Sequence, residues 1–256
     1  MVHWQHRVAR VSRQLTPCSA AAAGDDSSSS SQQHWKLMYW PATTQDGKIL
    51  AGAGRGEYVR VVFEEAGVEY EEVSDPQVLR EFFGMDAAAT NTSFPLLAPP
   101  AIVSPDGSFQ MAQTADIARY LGKKFGLFPP ASNPEQQARA DQILSTVHEY
   151  IAEGRLSFHP VKNTMSYFDQ VQEAAPYIRA FVTERGPRYL AHFEALLDYA
   201  SASSSGGEAA QERYFVGGAV SVVDLQVWVM LDVTEQQVRH PTHSRRLLAT
   251  IDLNRI

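Results

Sequence analysis

Two segments of the sequence carry groups that could hold a small peptide. Ala98-Pro99-Pro100 leads into an apolar stretch, and a cis X-Pro bond at the mouth of a strand leaves the preceding backbone groups free for an extended ligand. Gln113 and Thr114 open a predicted helix, where an amide, a hydroxyl and unpaired N–H groups suit a carboxylate. Backbone contacts like those of a strand, together with a site for a carboxylate, favour a peptide ligand. The alternative is an ordinary hairpin followed by a capped helix.

The elements that must position these groups alternate between strand and helix. Strand–helix–strand alternation requires a parallel pair, whereas Asp106-Gly107 is typical of a hairpin and predicts an antiparallel neighbour. The sequence therefore predicts an α/β thioredoxin-like N-terminal domain with a mixed four-stranded sheet. Its predicted strands are 36–41, 69–73, 101–104 and 108–112, and its predicted helices are about 57–66, 76–83 and 114–125.

Helical periodicity dominates after a proline-containing linker at 128–132, which cannot be helical. Asn133 can cap a helix whose first residue is Pro134, and apolar residues from Ile143 onward recur at helical spacing. An all-α C-terminal domain is therefore expected. The predicted division is a leader at 1–34, the sheet domain at 35–128 and the helical domain at 133–256, with later helices near 167–184, 187–201 and 222–231 and an atypical tail after 231.

Composition excludes several functional classes. A formal charge of −7 argues against nucleic acid as the main partner, and no apolar run approaches the ~20 residues that a membrane span needs. Cys18 is the only cysteine, which excludes an internal disulfide, a CxxC redox pair and a cysteine-rich metal site. We therefore expect no metal, no nucleic acid and no membrane span.

The leader at 1–34 differs in composition from the rest of the chain. Arg7, Arg10 and Arg13 occur with no acidic residue before Asp25, and serine and alanine runs follow. An arginine-bearing, acid-poor, amphipathic start is the pattern of a transit peptide, which would direct the protein to a mitochondrion or plastid. A low-complexity tail on a cytoplasmic protein is the alternative, and it is favoured because only one turn of the pattern supports targeting.

Four segments between Lys36 and Leu231 together resemble the glutathione transferase superfamily, specifically its soluble tyrosine-type members of the sigma, mu and pi kind. The resemblance implies an enzyme that activates glutathione as a thiolate for attack on electrophilic small molecules. It also implies glutathione as co-substrate and a homodimer. The four segments are Lys36–Pro41, Gly54–Gly67, 98–127 and Val216–Leu225, in family order and at roughly family spacing.

By this resemblance, Tyr39 is the catalytic residue, because a tyrosine at the end of the first strand donates a hydrogen bond to the sulfur of glutathione. A free thiol has a pKa of ~8.5 and is mostly protonated at neutral pH. Lowering that pKa by ~2 units requires about 2.7 kcal/mol, which one charge-assisted hydrogen bond and a helix dipole can supply. A strand aromatic packed in the core is the alternative for Tyr39.

The resemblance also assigns the glutathione-binding residues. Gln113 and Thr114 match the polar pair that holds the γ-glutamyl end. Pro100 matches the cis-proline, and the backbone of Pro99 would meet the cysteinyl part, although the sequence leaves open which proline is cis. Arg55 would pair with a carboxylate of the tripeptide or brace the domain interface, and a surface arginine is the alternative.

Four further residues have proposed roles in the second domain. The resemblance implies that Glu149 reaches across a dimer toward the γ-glutamyl amine of the partner subunit, and a solvated helix acid is the alternative. Ser221 and Asp224 have the spacing of a helix cap that serves folding rather than catalysis. His159 is interpreted as a structural residue.

Two departures from the family pattern favour a different function, a non-catalytic glutathione-fold protein that binds ligands or acts in assembly. The loop 42–54 is longer than usual beside Tyr39, and the polar sequence after Leu231 lacks apolar closing helices. We therefore expect an exposed apolar patch on the preceding helix, which carries Leu225, Val227, Trp228 and Val229.

Overall fold

The structure, a computed structural model, describes residues 34–41, 54–85, 94–165, 167–203 and 213–239 of the chain. Two compact units meet in the sequence at Thr114, which is the last residue of the first unit. The leader before residue 34, the inserted loop at 42–53 and the tail beyond 239 lie outside the described residues. The predicted domain boundary near 128 stays a prediction.

The first unit contains a mixed four-stranded sheet, as predicted. Its strands are β1 (Trp35–Met38), β2 (Tyr70–Val73), β3 (Ala101–Val103) and β4 (Gln110–Ala112). The spatial order is β2-β1-β3-β4, in which β1 pairs in parallel with β2 and antiparallel with β3, and β3 pairs antiparallel with β4. The antiparallel β3–β4 pair confirms the hairpin that Asp106-Gly107 predicts, and Gly107 adopts the positive φ of 74° that the turn requires.

Two helices of the first unit follow the predicted bounds closely. Helix α1 (Glu57–Ala66) ends where Gly67 adopts a left-handed conformation and donates its N–H to the carbonyl of Glu64. Helix α2 (Pro76–Phe82) begins after Asp75, whose carboxylate accepts hydrogen bonds from the backbone N–H groups of residues 77 and 78 at 2.7 and 3.1 Å. The end of α1 and the start of α2 are therefore both determined by local sequence.

Alternation along β1 divides the core of the first unit between the two faces of the sheet. Trp35 points to one face, where its ring lies 6.2 Å from that of Phe63 on α1. Met38 points to the other face and belongs to a buried cluster with Leu79 of α2 and Ala101 of β3. Each face of the short strand is thus covered by a different helix.

The second unit is helical, as predicted. Its longest helix, α4, is capped by the side chain of Asn133, which accepts a hydrogen bond from the backbone of Gln136 at 3.1 Å, with Pro134 as its first residue. The helices that follow the sheet are α3 (Thr114–Phe125), α4 (Pro134–Phe158), α5 (Val171–Ala180), α6 (Gly186–Ser203) and α7 (Val222–Arg239).

The single helix predicted at about 167–184 is wrong in detail. A 3₁₀ turn at Tyr167–Asp169 precedes α5, and a π-helical segment, Phe181–Arg185, joins α5 to α6. Gly186 donates its N–H to the carbonyl of Phe181, five residues earlier, and Pro187 has no N–H to continue the ordinary α-helical ladder. The Gly-Pro pair therefore accounts for the wide turn.

The expected exposed patch on α7 is wrong. Leu225, Val227 and Val229 are all buried within the single chain, and Trp228 is half-buried. The helix continues in polar sequence to Arg239 rather than ending near 231. Thr234 explains part of this continuation, because its hydroxyl bonds the carbonyl of Met230 and lies 3.0 Å from the buried Tyr150 hydroxyl. Polar residues in the last turns therefore prolong the helix.

The cap predicted at the start of α7 is confirmed. The carboxylate of Asp224 accepts hydrogen bonds from the backbone N–H and the hydroxyl of Ser221 at 2.9 and 2.7 Å, and from the backbone N–H of Phe215 at 2.9 Å. Burial raises the pKa of Asp224, against the effect of these donors. The helix start is thus tied to the preceding loop by one carboxylate.

None of the described helices is both long and apolar enough to span a membrane.

Candidate functional site

Tyr39 follows β1 directly and lies at the start of α1. Its backbone N–H extends the strand pairing to the carbonyl of Val73 at 3.1 Å, while its side chain is half-buried. The Tyr39 hydroxyl accepts a hydrogen bond of 2.7 Å from the backbone N–H of Arg55. Because the hydroxyl accepts this bond, its own hydrogen stays available to donate to a ligand.

Two glycines make room for the Tyr39 ring. A Cβ atom added to Gly54 would collide with the hydroxyl, and one added to Gly56 would lie 2.5 Å from the Cδ1 atom of the ring. Gly54 also has a positive φ of 82°, a conformation that residues with a Cβ rarely adopt. The sequence Gly-Arg-Gly is therefore the surface against which the tyrosine packs.

Arg55 contributes to this arrangement through its main chain. The family resemblance assigns a role to its guanidinium, but the interaction in the structure is the backbone N–H bond to Tyr39, and the side chain is exposed. No partner for that guanidinium occurs among the residues that the structure describes. The role of the side chain in binding a carboxylate stays a prediction.

Sequence reasoning did not identify Arg60, whose guanidinium carbon lies 5.9 Å from the centre of the Tyr39 ring. This guanidinium donates hydrogen bonds to Glu72 on β2 and, at 3.0 Å, to Glu57 one turn earlier on α1. Burial alone would lower the pKa of Arg60, but the two carboxylates outweigh it and hold the pKa above its ordinary value. The Glu57–Arg60 spacing of three residues was the signal available in the sequence.

The second half of the site is formed where β3 begins and β4 ends. The peptide bond between Pro99 and Pro100 is cis, so Pro100 is the cis residue, and it is buried immediately before β3. Gln113 follows β4 with a φ of 77°, which is uncommon for a residue other than glycine, asparagine or aspartate. Thr114 is buried at the first position of α3.

Strand register brings these residues to one edge of the sheet. Met38 pairs with Ala101, and Ala101 pairs with Ala112. The residue after Met38, the residue before Ala101 and the residue after Ala112 therefore lie at the same end of three neighbouring strands. They are Tyr39, Pro100 and Gln113, so the structure brings together the phenol, the cis-proline and the first residue of the polar pair, although Tyr39 and Gln113 lie 74 positions apart in the sequence (113 − 39).

Glu149 and His159 belong to the second unit. Glu149 is exposed on α4. Burial raises the pKa of Tyr189, and the charges of Glu153 and Glu149 add to this rise. The Nδ1 atom of His159 lies 2.9 Å from the carbonyl of Met165, and burial lowers the pKa of this imidazole, which supports a structural role. Among the described residues there is no group of three or more His, Cys, Asp or Glu side chains that could hold a metal ion.

Known proteins provide independent evidence on the family. The family model for the C-terminal domain of glutathione S-transferase matches residues 157–251. The chain is 30% identical to Glutathione S-transferase 3 of Caenorhabditis elegans over 195 residues, which is 76% of this chain and 77% of that protein. It is also 30% identical to Glutathione S-transferase 1 of Ascaris suum over 174 residues, 68% of this chain and 72% of that protein.

The solved structures agree on the fold. A crystal structure of the glutathione S-transferase from Ascaris lumbricoides superposes with a TM-score of 0.52 at 22% sequence identity, covering 85% of each chain. Relatives at this identity and coverage define one class of protein. The strand order of the sheet and the helical second unit agree with that class. The chain belongs to the glutathione S-transferase superfamily.

Proposed function

We propose that this protein is a tyrosine-type glutathione transferase in which Tyr39 stabilises the thiolate of glutathione. The observation that carries the proposal is the hydrogen bond from the backbone N–H of Arg55 to the Tyr39 hydroxyl. A hydroxyl that already accepts a hydrogen bond is polarised, and it directs its own hydrogen outward. Its position beside the start of α1 adds the positive end of a helix to the same place.

The proposed reaction needs no nucleophile from the protein. Glutathione loses its thiol proton to solvent, and the Tyr39 hydroxyl donates a hydrogen bond to the resulting sulfur anion. The thiolate then attacks an electrophilic carbon. With an aryl chloride, a carbon–sulfur bond forms, the carbon–chlorine bond breaks, and chloride leaves with the electron pair.

Backbone and polar groups at the same edge of the sheet are proposed to bind the tripeptide. The backbone of Pro99 meets the cysteinyl part, while Gln113 and the free N–H groups at the start of α3 hold the γ-glutamyl carboxylate. The positive φ of Gln113 supports this assignment, because an uncommon backbone conformation that the surroundings enforce often marks a ligand-binding position. Thr114 and the Arg55 guanidinium complete the proposed set.

The experiment measures conjugation of glutathione to an aryl chloride by the wild-type protein, Tyr39→Phe and Tyr177→Phe. Removing one hydroxyl that stabilises the reacting anion is expected to lower kcat by a factor of ~100 or more. Tyr177 is an exposed tyrosine on α5, so its substitution controls for the loss of a phenol elsewhere and should leave turnover unchanged.

Two outcomes would contradict the proposal. Wild-type protein that binds glutathione but turns over no electrophile would favour the non-catalytic alternative. The features that motivate that alternative are the loop 42–54 and the polar sequence after Leu231, and most of each, residues 42–53 and the tail beyond 239, lies outside the described residues. Equal turnover by Tyr39→Phe and wild type would retain the enzyme but eliminate Tyr39 as the activating group.

A further inference from the structure

Arg60 lies beside the proposed activating group but has no part in the reaction described so far. It is in the first turn of α1, where only 11% of its side chain is exposed, and its guanidinium carbon lies 5.9 Å from the centre of the Tyr39 ring. Arginine is rarely withdrawn from water to this extent unless its charge is paired. The partners of Arg60 therefore indicate what keeps it beside the ring.

Two carboxylates hold this guanidinium in place. Its Nε atom donates hydrogen bonds to both carboxylate oxygens of Glu72 on β2, at 3.0 and 3.1 Å, and its Nη2 atom also bonds Glu72. Its Nη1 atom donates to Glu57, three residues earlier on α1, at 3.0 Å. Because the bonds run to a helix and to a strand, they fix the guanidinium relative to both elements.

These bonds leave the guanidinium able to contact an aromatic ring. A guanidinium is planar and donates its hydrogen bonds in its own plane, so its edges meet the carboxylates while its faces stay available. A cation near the face of a ring is attracted by the electrons of that ring. The other titratable group that Arg60 influences is Tyr70 on β2, whose hydroxyl donates to Glu64 at 3.2 Å.

Backbone groups also constrain Tyr39, but they act at its hydroxyl and along one edge of its ring. The N–H of Arg55 bonds the hydroxyl at 2.7 Å, and the two flanking glycines pack against the edge that contains Cδ1 and Cε1. Arg60 adds a contact from a side chain that is itself fixed. Since a hydrogen bond weakens steeply as it departs from linearity, a small rotation of the ring would misdirect the hydroxyl.

We propose that Arg60 is a positioning residue for the conjugation: its two carboxylate partners hold the guanidinium, and the guanidinium holds the Tyr39 ring. Arg60 acts through Tyr39, so this inference rests on the proposed function of that hydroxyl. Such support matters because loose positioning weakens the interactions that a functional group makes in the transition state. Releasing the guanidinium from β2 should therefore misdirect the hydroxyl and destabilise the thiolate.

The test measures the pKa of the thiol of glutathione bound to the full-length protein, from the ultraviolet absorbance of the thiolate. Glu72→Gln keeps the guanidinium but weakens its attachment to β2, and the thiol pKa should rise. In the double variant Arg60→Gln with Glu72→Gln, two neutral amides replace the ion pair. The rise should then reach about one unit, with kcat about tenfold lower at a pH below the wild-type thiol pKa. The KM for glutathione should stay close to wild type, because the proposed binding contacts are retained.

Glu71→Gln is the matched control for Glu72→Gln. Glu71 is the neighbouring residue on β2, so its side chain points to the opposite face of the sheet, and it pairs with Lys36 at 3.3 Å. Its substitution removes the same charge from the same strand and should leave the thiol pKa unchanged. Loss of a nearby negative charge would by itself lower the thiol pKa, so a rise in Glu72→Gln identifies positioning rather than charge.

The proposal is overturned by a wild-type thiol pKa in the double variant, or by a lowered thiol pKa in Glu72→Gln. Adding the double variant to Tyr39→Phe should change nothing further, because no hydroxyl remains to be directed, and an equal rise in that background would also overturn it. Failure of the proposed function is read separately, from Tyr39→Phe alone. Since the thiol pKa is measured on bound glutathione, it reports folded molecules even where a variant loses stability.

Discussion

At the scale of single residues, the account depends on how backbone geometry positions polar groups that are chemically ordinary. The Tyr39 hydroxyl is oriented by a peptide N–H, and Gln113 is placed by a left-handed backbone conformation. Neither side chain is fully buried, so each is accessible to a ligand from solvent. Replacing Gln113 separates the two effects of this residue, its amide group and its backbone conformation.

We predict that Gln113→Ala raises the KM for glutathione while leaving kcat at saturating glutathione nearly unchanged. The amide is proposed to contact the γ-glutamyl end, which is remote from the bond being formed, and loss of ground-state binding appears in KM. Steady-state kinetics with varied glutathione measure both constants. A fall in kcat with an unchanged KM would contradict the placement.

Gln113→Gly is the matched variant, because it also removes the amide but relieves the positive φ. Glycine adopts a left-handed conformation without the cost of on the order of 1 kcal/mol that other residues incur. This variant should therefore resemble Gln113→Ala in KM and exceed it in the free energy of unfolding by about 1 kcal/mol, measured by chemical denaturation. Equal stability of the two variants would show that the conformation carries no strain.

At the scale of secondary-structure elements, the start of α1 and the end of β1 are fitted to each other. Gly56 is buried against the Tyr39 ring, and a methyl group there would overlap the ring. We predict that Gly56→Ala displaces Tyr39, lowers conjugation at least tenfold and reduces the free energy of unfolding by about 1–3 kcal/mol, as overpacking of a filled site does.

Gly218→Ala provides the control for this substitution. A Cβ atom at Gly218 would meet no heavy atom within 4 Å, and its φ is not in the left-handed region. Activity and stability should both stay close to wild type. Normal activity in Gly56→Ala would show that the tyrosine does not need the close packing seen in the structure.

The sequence predicted these elements well wherever local signals determine them. The approximate bounds predicted for α1 agree with the structure, in which Gly67 ends the helix, and the Ser221–Asp224 cap was predicted from its spacing. The π-helical segment was missed, since it arises from a hydrogen-bond shift at Gly186-Pro187 inside a continuous helical pattern. The polar end of α7 was missed because tertiary contacts of Thr234 outweigh the loss of apolar periodicity.

The sequence selected residues that the structure brings together, whereas their roles in binding and catalysis stay predictions and their contacts were not foreseen. Tyr39, Pro100 and Gln113 were selected from the sequence, and strand register places them at one edge of the sheet. The contact of Arg55 through its N–H and the position of Arg60 over the Tyr39 ring required coordinates. A pattern of side chains contains no information on which backbone group a hydroxyl will meet.

At the scale of the whole molecule, family membership leads to a prediction about assembly. We expect a homodimer in which Glu149 helps to complete the glutathione site of the partner subunit. Light scattering on the purified protein should give twice the chain mass, and Glu149→Gln should raise the KM for glutathione without dissociating the dimer. Glu135→Gln, at the exposed start of α4, is the control and should change neither property.

A monomer at every accessible protein concentration would refute the dimer and the shared site together. A dimer in which Glu149→Gln has the KM of wild type would retain the assembly and eliminate only the role of Glu149.

The most direct test of the central claim is the pKa of the glutathione thiol bound to the protein, measured from the ultraviolet absorbance of the thiolate across a pH titration. The account predicts a value ~2 units below the ~8.5 of a free thiol for wild type, since Tyr39 and the start of α1 favour the anion. In Tyr39→Phe, with glutathione still bound, the value should rise most of the way back. A wild-type value equal to that of free thiol, or an unchanged low value in Tyr39→Phe, would contradict it.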